Sequence, residues 1–68
     1  MKYTVIFEQG STSVGASVPD LPGCVAVGRT RDEARTLIAS AIEFHLEGMR
    51  LHGEQVPEPV TVAETVEI

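Results

Sequence analysis

The sequence predicts an α+β domain: a two-layer sandwich of order β-β-β-α-β, with one helix packed on one face of a four-stranded sheet. Three observations lead there. Apolar residues alternate with polar ones in several short stretches, which is the period of a strand with one buried face. One longer stretch, from Ala34 to Met49, instead repeats its apolar residues at steps of three and four. Prolines and glycines fall between these stretches, where they punctuate the chain rather than interrupt an element.

Lys2 to Gln9 alternates, with Tyr3, Val5 and Phe7 on one side and Thr4, Ile6 and Glu8 on the other. The odd side is expected to face the core, and Ile6 leaves the second side partly apolar. Gly10-Ser11-Thr12 is turn material, and Ser13 to Val18 alternates again through Val14, Ala16 and Val18, so the two strands form a hairpin. Pro19-Asp20-Leu21-Pro22-Gly23 then breaks the ladder. Pro19 and Pro22 remove two backbone donors, and Pro22-Gly23 suits the central positions of a type II turn. Cys24 to Arg29 supplies a third strand.

Thr30-Arg31-Asp32-Glu33 has the spacing of a capping box, in which the Thr30 hydroxyl accepts from the Glu33 amide and the Glu33 carboxylate reaches back to the Thr30 amide. The helix begins there. Ala34, Leu37, Ile38, Ala41, Ile42, Leu46 and Met49 draw one continuous stripe, with Arg35, Thr36, Ser40, Glu43, Glu47 and Arg50 off it. Gly53 is placed to end the helix at C′, giving about 22 residues and roughly 33 Å. Val56-Pro57-Glu58-Pro59 is a stiff connector, and Val60 to Ile68 alternates once more, interrupted by Glu64, as a fourth strand. One helix covers only one face of such a sheet, so the other face is expected to meet a second subunit.

The chain has 68 residues, at the lower limit for a single hydrophobic core, and residues 1–68 form one domain. Five Lys and Arg oppose ten Asp and Glu, a net charge of −5. Residues 1 to 52 hold all the bases and six acids. Glu54, Glu58, Glu64 and Glu67 follow with no base, so −4 of the total lies after His52. A pI near 4.7 without a basic stripe argues against direct binding of nucleic acid, which requires clustered Lys and Arg. The lone Cys24 makes no internal disulfide, and no signal peptide or membrane-length apolar run is present, so a cytoplasmic location is expected.

The segment Val18 to Ala34, VPDLPGCVAVGRTRDEA, resembles the signature of HicB-type antitoxins: a PDLPGC turn, a short strand, Gly-x-Thr, and an acidic pair with Ala opening the helix. The stretch Gly53 to Pro59, GEQVPEP, is similar to that family's Gly followed by an apolar-Pro-x-Pro connector, and the likeness runs from Tyr3 to about Val62. The resemblance implies a partial RNase H-like fold and a role in neutralising a HicA-type toxin, a small basic RNA-cleaving protein. Many antitoxins of this kind carry a C-terminal DNA-binding segment, which a sequence ending at Ile68 is expected to lack.

Catalytic alternatives weigh less. Two-metal hydrolysis requires converging carboxylates, and Asp20 and Asp32 lie in a turn and a cap, while Glu8, Glu43 and Glu64 are the remaining trio to consider. His45 and His52 share a side of the helix with no nucleophile placed beside them, and Cys24 has no adjacent basic pair. Arg29, Arg31 and Arg35 lie among Asp32 and Glu33 and read as a mutually paired surface. The sequence therefore predicts a non-enzymatic antitoxin module with no metal or cofactor, forming a homo-oligomer. Glu54, Glu58, Glu64 and Glu67 are its candidate toxin-binding residues. The alternative is an oligomeric scaffold of the same fold without a toxin. Thr30, Glu33, Pro19, Pro22, Gly23 and Gly53 are structural.

Overall fold

The computed structural model describes residues 1–68. Its elements are β1 (Ile6–Gln9), β2 (Val14–Ser17), β3 (Val25–Gly28) and α1 (Arg31–Leu51). The strands form an antiparallel sheet of order β1-β2-β3. In this register Phe7, Ala16 and Ala26 stand abreast on one face, as do Gln9, Val14 and Gly28, while Ile6, Ser17 and Val25 line the other with Glu8, Gly15 and Val27. The first face carries the core. Val14, Ala16, Val18, Leu21, Cys24, Ala34, Ile38 and Leu46 are buried there, with Tyr3, Val5, Phe7, Ala41, Ile42 and Val56 packed around them.

Strand β1 is shorter than its alternation. Extending the register of the hairpin opposes Thr4 to Pro19, which has no N–H to donate, so the ladder stops although Tyr3 and Val5 still pack on the core. The turn that follows is tied by Leu21 N–H to the Val18 carbonyl and Cys24 N–H to the Leu21 carbonyl, both at 3.0 Å. Pro22 and Gly23 occupy its centre, with Gly23 at φ +85°, the positive φ that a type II turn requires at its third position. Leu21 is thereby carried inward and is among the most deeply buried side chains of the protein.

At the start of α1 the Thr30 hydroxyl accepts from the Glu33 amide at 3.1 Å. The Glu33 carboxylate returns to the amide of Arg29 at 2.9 Å, one residue before the amide expected of a capping box. At the far end the Glu54 amide donates to Met49 and the Gly53 amide to Arg50, with Gly53 at φ +68°. This pair of bonds is a Schellman motif, and it turns the chain back along the molecule.

The sheet has three strands where the alternation of Val60 to Ile68 led us to expect a fourth. No main-chain to main-chain hydrogen bond involves residues 55–68. Pro57 and Pro59 lack donors, and the first amides of the expected strand are already engaged. Val60 N–H and Thr61 N–H both donate to Asp20 Oδ2, at 3.2 and 3.0 Å, and the Thr61 hydroxyl donates to Asp20 Oδ1 at 2.7 Å. Thr4 Oγ1 donates to the Thr61 carbonyl at 2.8 Å, and the Tyr3 hydroxyl donates to the Pro57 carbonyl. Side chains thus hold the segment at residues 57–61, and beyond them it projects as an arm.

Two predictions follow from these contacts. A Cβ added at Gly28 would lie 2.6 Å from the Ala34 nitrogen, which is backbone and cannot swing aside. Gly28→Ala should therefore lower stability by about 1–3 kcal/mol in urea unfolding, whereas Gly15→Ala, whose nearest contact is at 4.0 Å, should change it little. Equal stabilities for the two variants would show that the helix does not seat as described.

The second concerns Asp20, whose carboxyl is held below its ordinary pKa by the Thr61 hydroxyl, then by the Thr61 amide, with a lesser contribution from Val60. Because the folded value is depressed, the latch contributes fully above the unfolded pKa, near 4, and is lost as pH falls through the lower folded value. The amide resonances of Val60 and Thr61 should titrate together in acid, below the ordinary aspartate range. Asp20→Asn should speed their hydrogen exchange while leaving that of Ile38 unchanged. A titration of Thr61 at or above the ordinary value would refute the latch.

Candidate protein-interaction surface

Glu54, Glu58, Glu64 and Glu67 are all exposed, and each lies on the segment that follows the Schellman turn. The ion pairs of the molecule are Arg35–Asp32 at 3.0 Å and Arg50–Glu47 at 3.8 Å, both within the helix, so none of these four glutamates is neutralised by a base of its own chain. They are strung along the connector and arm rather than gathered into a cluster. No three His, Cys, Asp or Glu side chains converge as a metal site would require, and Glu8, Glu43 and Glu64 do not meet. The surface presents no cleft for a small substrate.

The other candidate residues are placed in structural roles. His52 Nδ1 lies 2.7 Å from the Gly48 carbonyl, where a ring N–H closes the last helical turn. His45 is half-buried. Cys24 is buried, and desolvation pushes its thiol pKa up, away from the thiolate a nucleophile needs. Arg31 and Arg35 stack their guanidinium groups over the Phe7 ring, at 5.0 and 6.0 Å from its centre, and Arg35 also pairs with Asp32. Thr30 and Glu33 serve the helix cap, Pro22 and Gly23 the type II turn, and Gly53 the helix terminus.

Two exposed apolar surfaces accompany the acidic segment. Leu37, Phe44 and Leu51 are seven residues apart along α1. Successive members of such a set turn by only about 20° around the helix, so they form one outward ridge. Phe44 is 82% exposed at its centre, and nothing stands within 4 Å of the position a Cβ would take at neighbouring Gly48. The ridge runs toward Gly53 and the first of the acidic residues. Sequence reasoning passed over Phe44 because it lies off the core stripe; the signal available was the seven-residue spacing of large apolar residues. The second surface is the uncovered sheet face, where Ile6, Val25 and Val27 are exposed. No helix is long and apolar enough to cross a membrane, so these surfaces do not belong to a helical span.

A family model described as the HicB-like antitoxin of bacterial toxin–antitoxin systems matches residues 3–67. Among curated relatives, a UPF0150 protein of Thermoplasma acidophilum is 42% identical over 91% of this chain and 97% of its own length. An uncharacterised 14.9 kDa protein from the rep–hol intergenic region of Haemophilus phage HP1 is 40% identical over 85% of this chain. Antitoxin HicB 2 of Photorhabdus laumondii is 32% identical over 94% of it. The chain spans less than half the length of these last two, 44% and 46%. No solved structure matches it significantly. The family match covers both the capped helix and the acidic segment, and with it the chain belongs to the HicB-like antitoxin family of bacterial toxin–antitoxin systems.

Proposed function

We propose that this chain is a cytoplasmic antitoxin module that binds and masks a small basic RNase toxin of the HicA type, performing no chemistry itself, and that it does so as a homo-oligomer. The observation that carries the masking mechanism is the segregation of charge. Four exposed carboxylates, Glu54, Glu58, Glu64 and Glu67, stand without basic partners on a segment held by only a few contacts. A toxin that cleaves RNA must attract phosphate, and carboxylates offered to the same basic surface speed encounter and compete with RNA for it. The Leu37–Phe44–Leu51 ridge supplies what the acidic segment lacks, an apolar centre of the kind that dominates binding energy, with Glu54 near its end as a charged rim.

The partial RNase H-like architecture implied by the resemblance is part of this proposal. The order β1-β2-β3-α1 is compatible with it, and the further strand it calls for would come from the strand-patterned residues 62–68 where a neighbouring edge is offered. A second reading, an oligomeric scaffold of the same fold with no toxin, draws on the exposed Val25 and Val27, which favour self-association whatever else the protein binds.

Co-expression with a small basic protein encoded beside the gene separates the two readings. The antitoxin reading predicts that the products co-purify and that RNA cleavage is lost on mixing; free toxin activity in the presence of excess protein would sink it. Replacing Glu54, Glu58, Glu64 and Glu67 by Gln should slow association about tenfold or more at low salt, an effect that fades as salt rises. Phe44→Ser should instead hasten dissociation, at a cost of about 1–3 kcal/mol of binding, with the thermal unfolding of the free protein unchanged.

A further inference from the structure

We propose that residues 62–68 are an exchange arm that adds as a strand to the free β3 edge of a second copy of this chain. The inference rests on the self-association proposed above and names the contact that makes it. The arm has the composition of a strand and none of its bonds. Val62, Val66 and Ile68 recur at even spacing and are among the most exposed apolar residues of the molecule, with Val62 at 85%. Their amides and carbonyls make no main-chain hydrogen bond. The protein is correspondingly drawn out: its radius of gyration is 13.1 Å, against about 11 Å for a compact domain of this length. The Asp20 latch on Val60 and Thr61 fixes the root of the arm, so pairing orders only the residues beyond it.

The sheet has two free edges, and three features select β3. The first is charge. An arm carrying Glu64 and Glu67 would meet Glu8 on β1, whereas β3 holds no ionised side chain and leads directly into Arg29, whose guanidinium forms no ion pair in its own chain. The second is occupancy, because the line of β1 is already flanked at Tyr3 and Thr4 by this chain's own residues 57–61. The third is the direction of the main-chain groups. Val18 N–H donates to the Cys24 carbonyl, so in the alternation of an antiparallel ladder Cys24 and Ala26 turn their polar groups toward β2, and Val25 and Val27 turn theirs outward. These two residues are 63% and 64% exposed. An arriving strand would satisfy their main chain and lay its own valines beside theirs, extending the apolar face begun by Ile6.

Because every copy carries one arm and one edge, a two-fold arrangement closes with two reciprocal arm–edge contacts. Sedimentation of the full chain should therefore find a dimer. Val66→Pro, which removes a donor from an exposed residue, should weaken dimerisation at least tenfold. So should Val25→Lys with Val27→Lys, and so should Val27→Pro, which spares the β2 ladder by the same register. The distinguishing measurement is mixing. The Val66→Pro chain retains its edge and the double-Lys chain retains its arm, so two preparations that are each monomeric should form a heterodimer when combined. A dimer undiminished by Val66→Pro, or by both edge variants, would overturn the arm–edge contact while leaving self-association standing. A wild-type chain that stays monomeric from roughly micromolar to millimolar concentration would overturn both. Toxin binding is read separately and decides neither.

Discussion

The contact on which the rest of the molecule depends is the seating of the first turn of α1 on the end of β3. Gly28 comes so close to the Glu33 and Ala34 backbone that no side chain fits between them, and Ala34 is wholly buried as a result. Two residues separate β3 from the helix, so the path of a 21-residue helix is determined by a short, closely packed joint. The Thr30 hydroxyl and the Glu33 carboxylate satisfy amides that such a joint would otherwise leave unpaired. Once the helix is seated, Ile38 and Leu46 fall over Val14, Ala16 and Val18, and the turn delivers Leu21 and Cys24 to the same volume. A core of eight buried residues tolerates little misalignment, which is why the joint needs glycine and a small alanine rather than bulk.

The same joint commits the helix to one face of the sheet. The opposite face keeps Ile6, Val25 and Val27 in solvent, and β1 and β3 keep free edges. Edges of this kind are ordinarily shielded by charge or by covering segments. Here Glu8 marks β1, and residues 57–61 lie against the chain leading into it, whereas β3 has neither protection. The molecule is thus asymmetric in a way that composition does not convey: one side is closed by its helix, and the other is unfinished.

Much of the fold was legible because it is encoded locally. The strand alternations, the Pro22-Gly23 turn, the Thr30 cap and the Gly53 terminus each require only neighbours within a few residues. What escaped is encoded at a distance. Asp20 reads as a turn residue, and nothing near it announces that its carboxylate will hold Val60 and Thr61, some 40 residues away. Leu21 lies between two prolines in a segment that looks exposed, and it is buried because the turn folds back on the sheet. The alternation of Val60 to Ile68 has the period of a strand and led to the expectation of a fourth, but these residues form none, because a strand needs a partner edge and periodicity carries no information about whether one is available. Of the surface, the acidic residues were visible from charge counting alone. Phe44 was not, since a single exposed aromatic gains meaning only when Leu37 and Leu51 are seen on the same ridge.

The division between a seated helix and a tethered arm also suits the two kinds of force that recognition uses. Attraction between opposite charges acts over about a Debye length and tolerates imprecise placement, so the role proposed for Glu54, Glu58, Glu64 and Glu67 is compatible with a segment held mainly by side chains. Apolar contact acts only at touching distance and depends on fixed shape, and Phe44 is presented from the 21-residue helix α1. An aromatic on the arm, by contrast, would lose the fixed register that the helix gives Phe44. The Asp20 latch mediates between the two regimes. It fixes where the arm begins without fixing where it goes, so the main-chain groups beyond Thr61 are left without partners in their own chain.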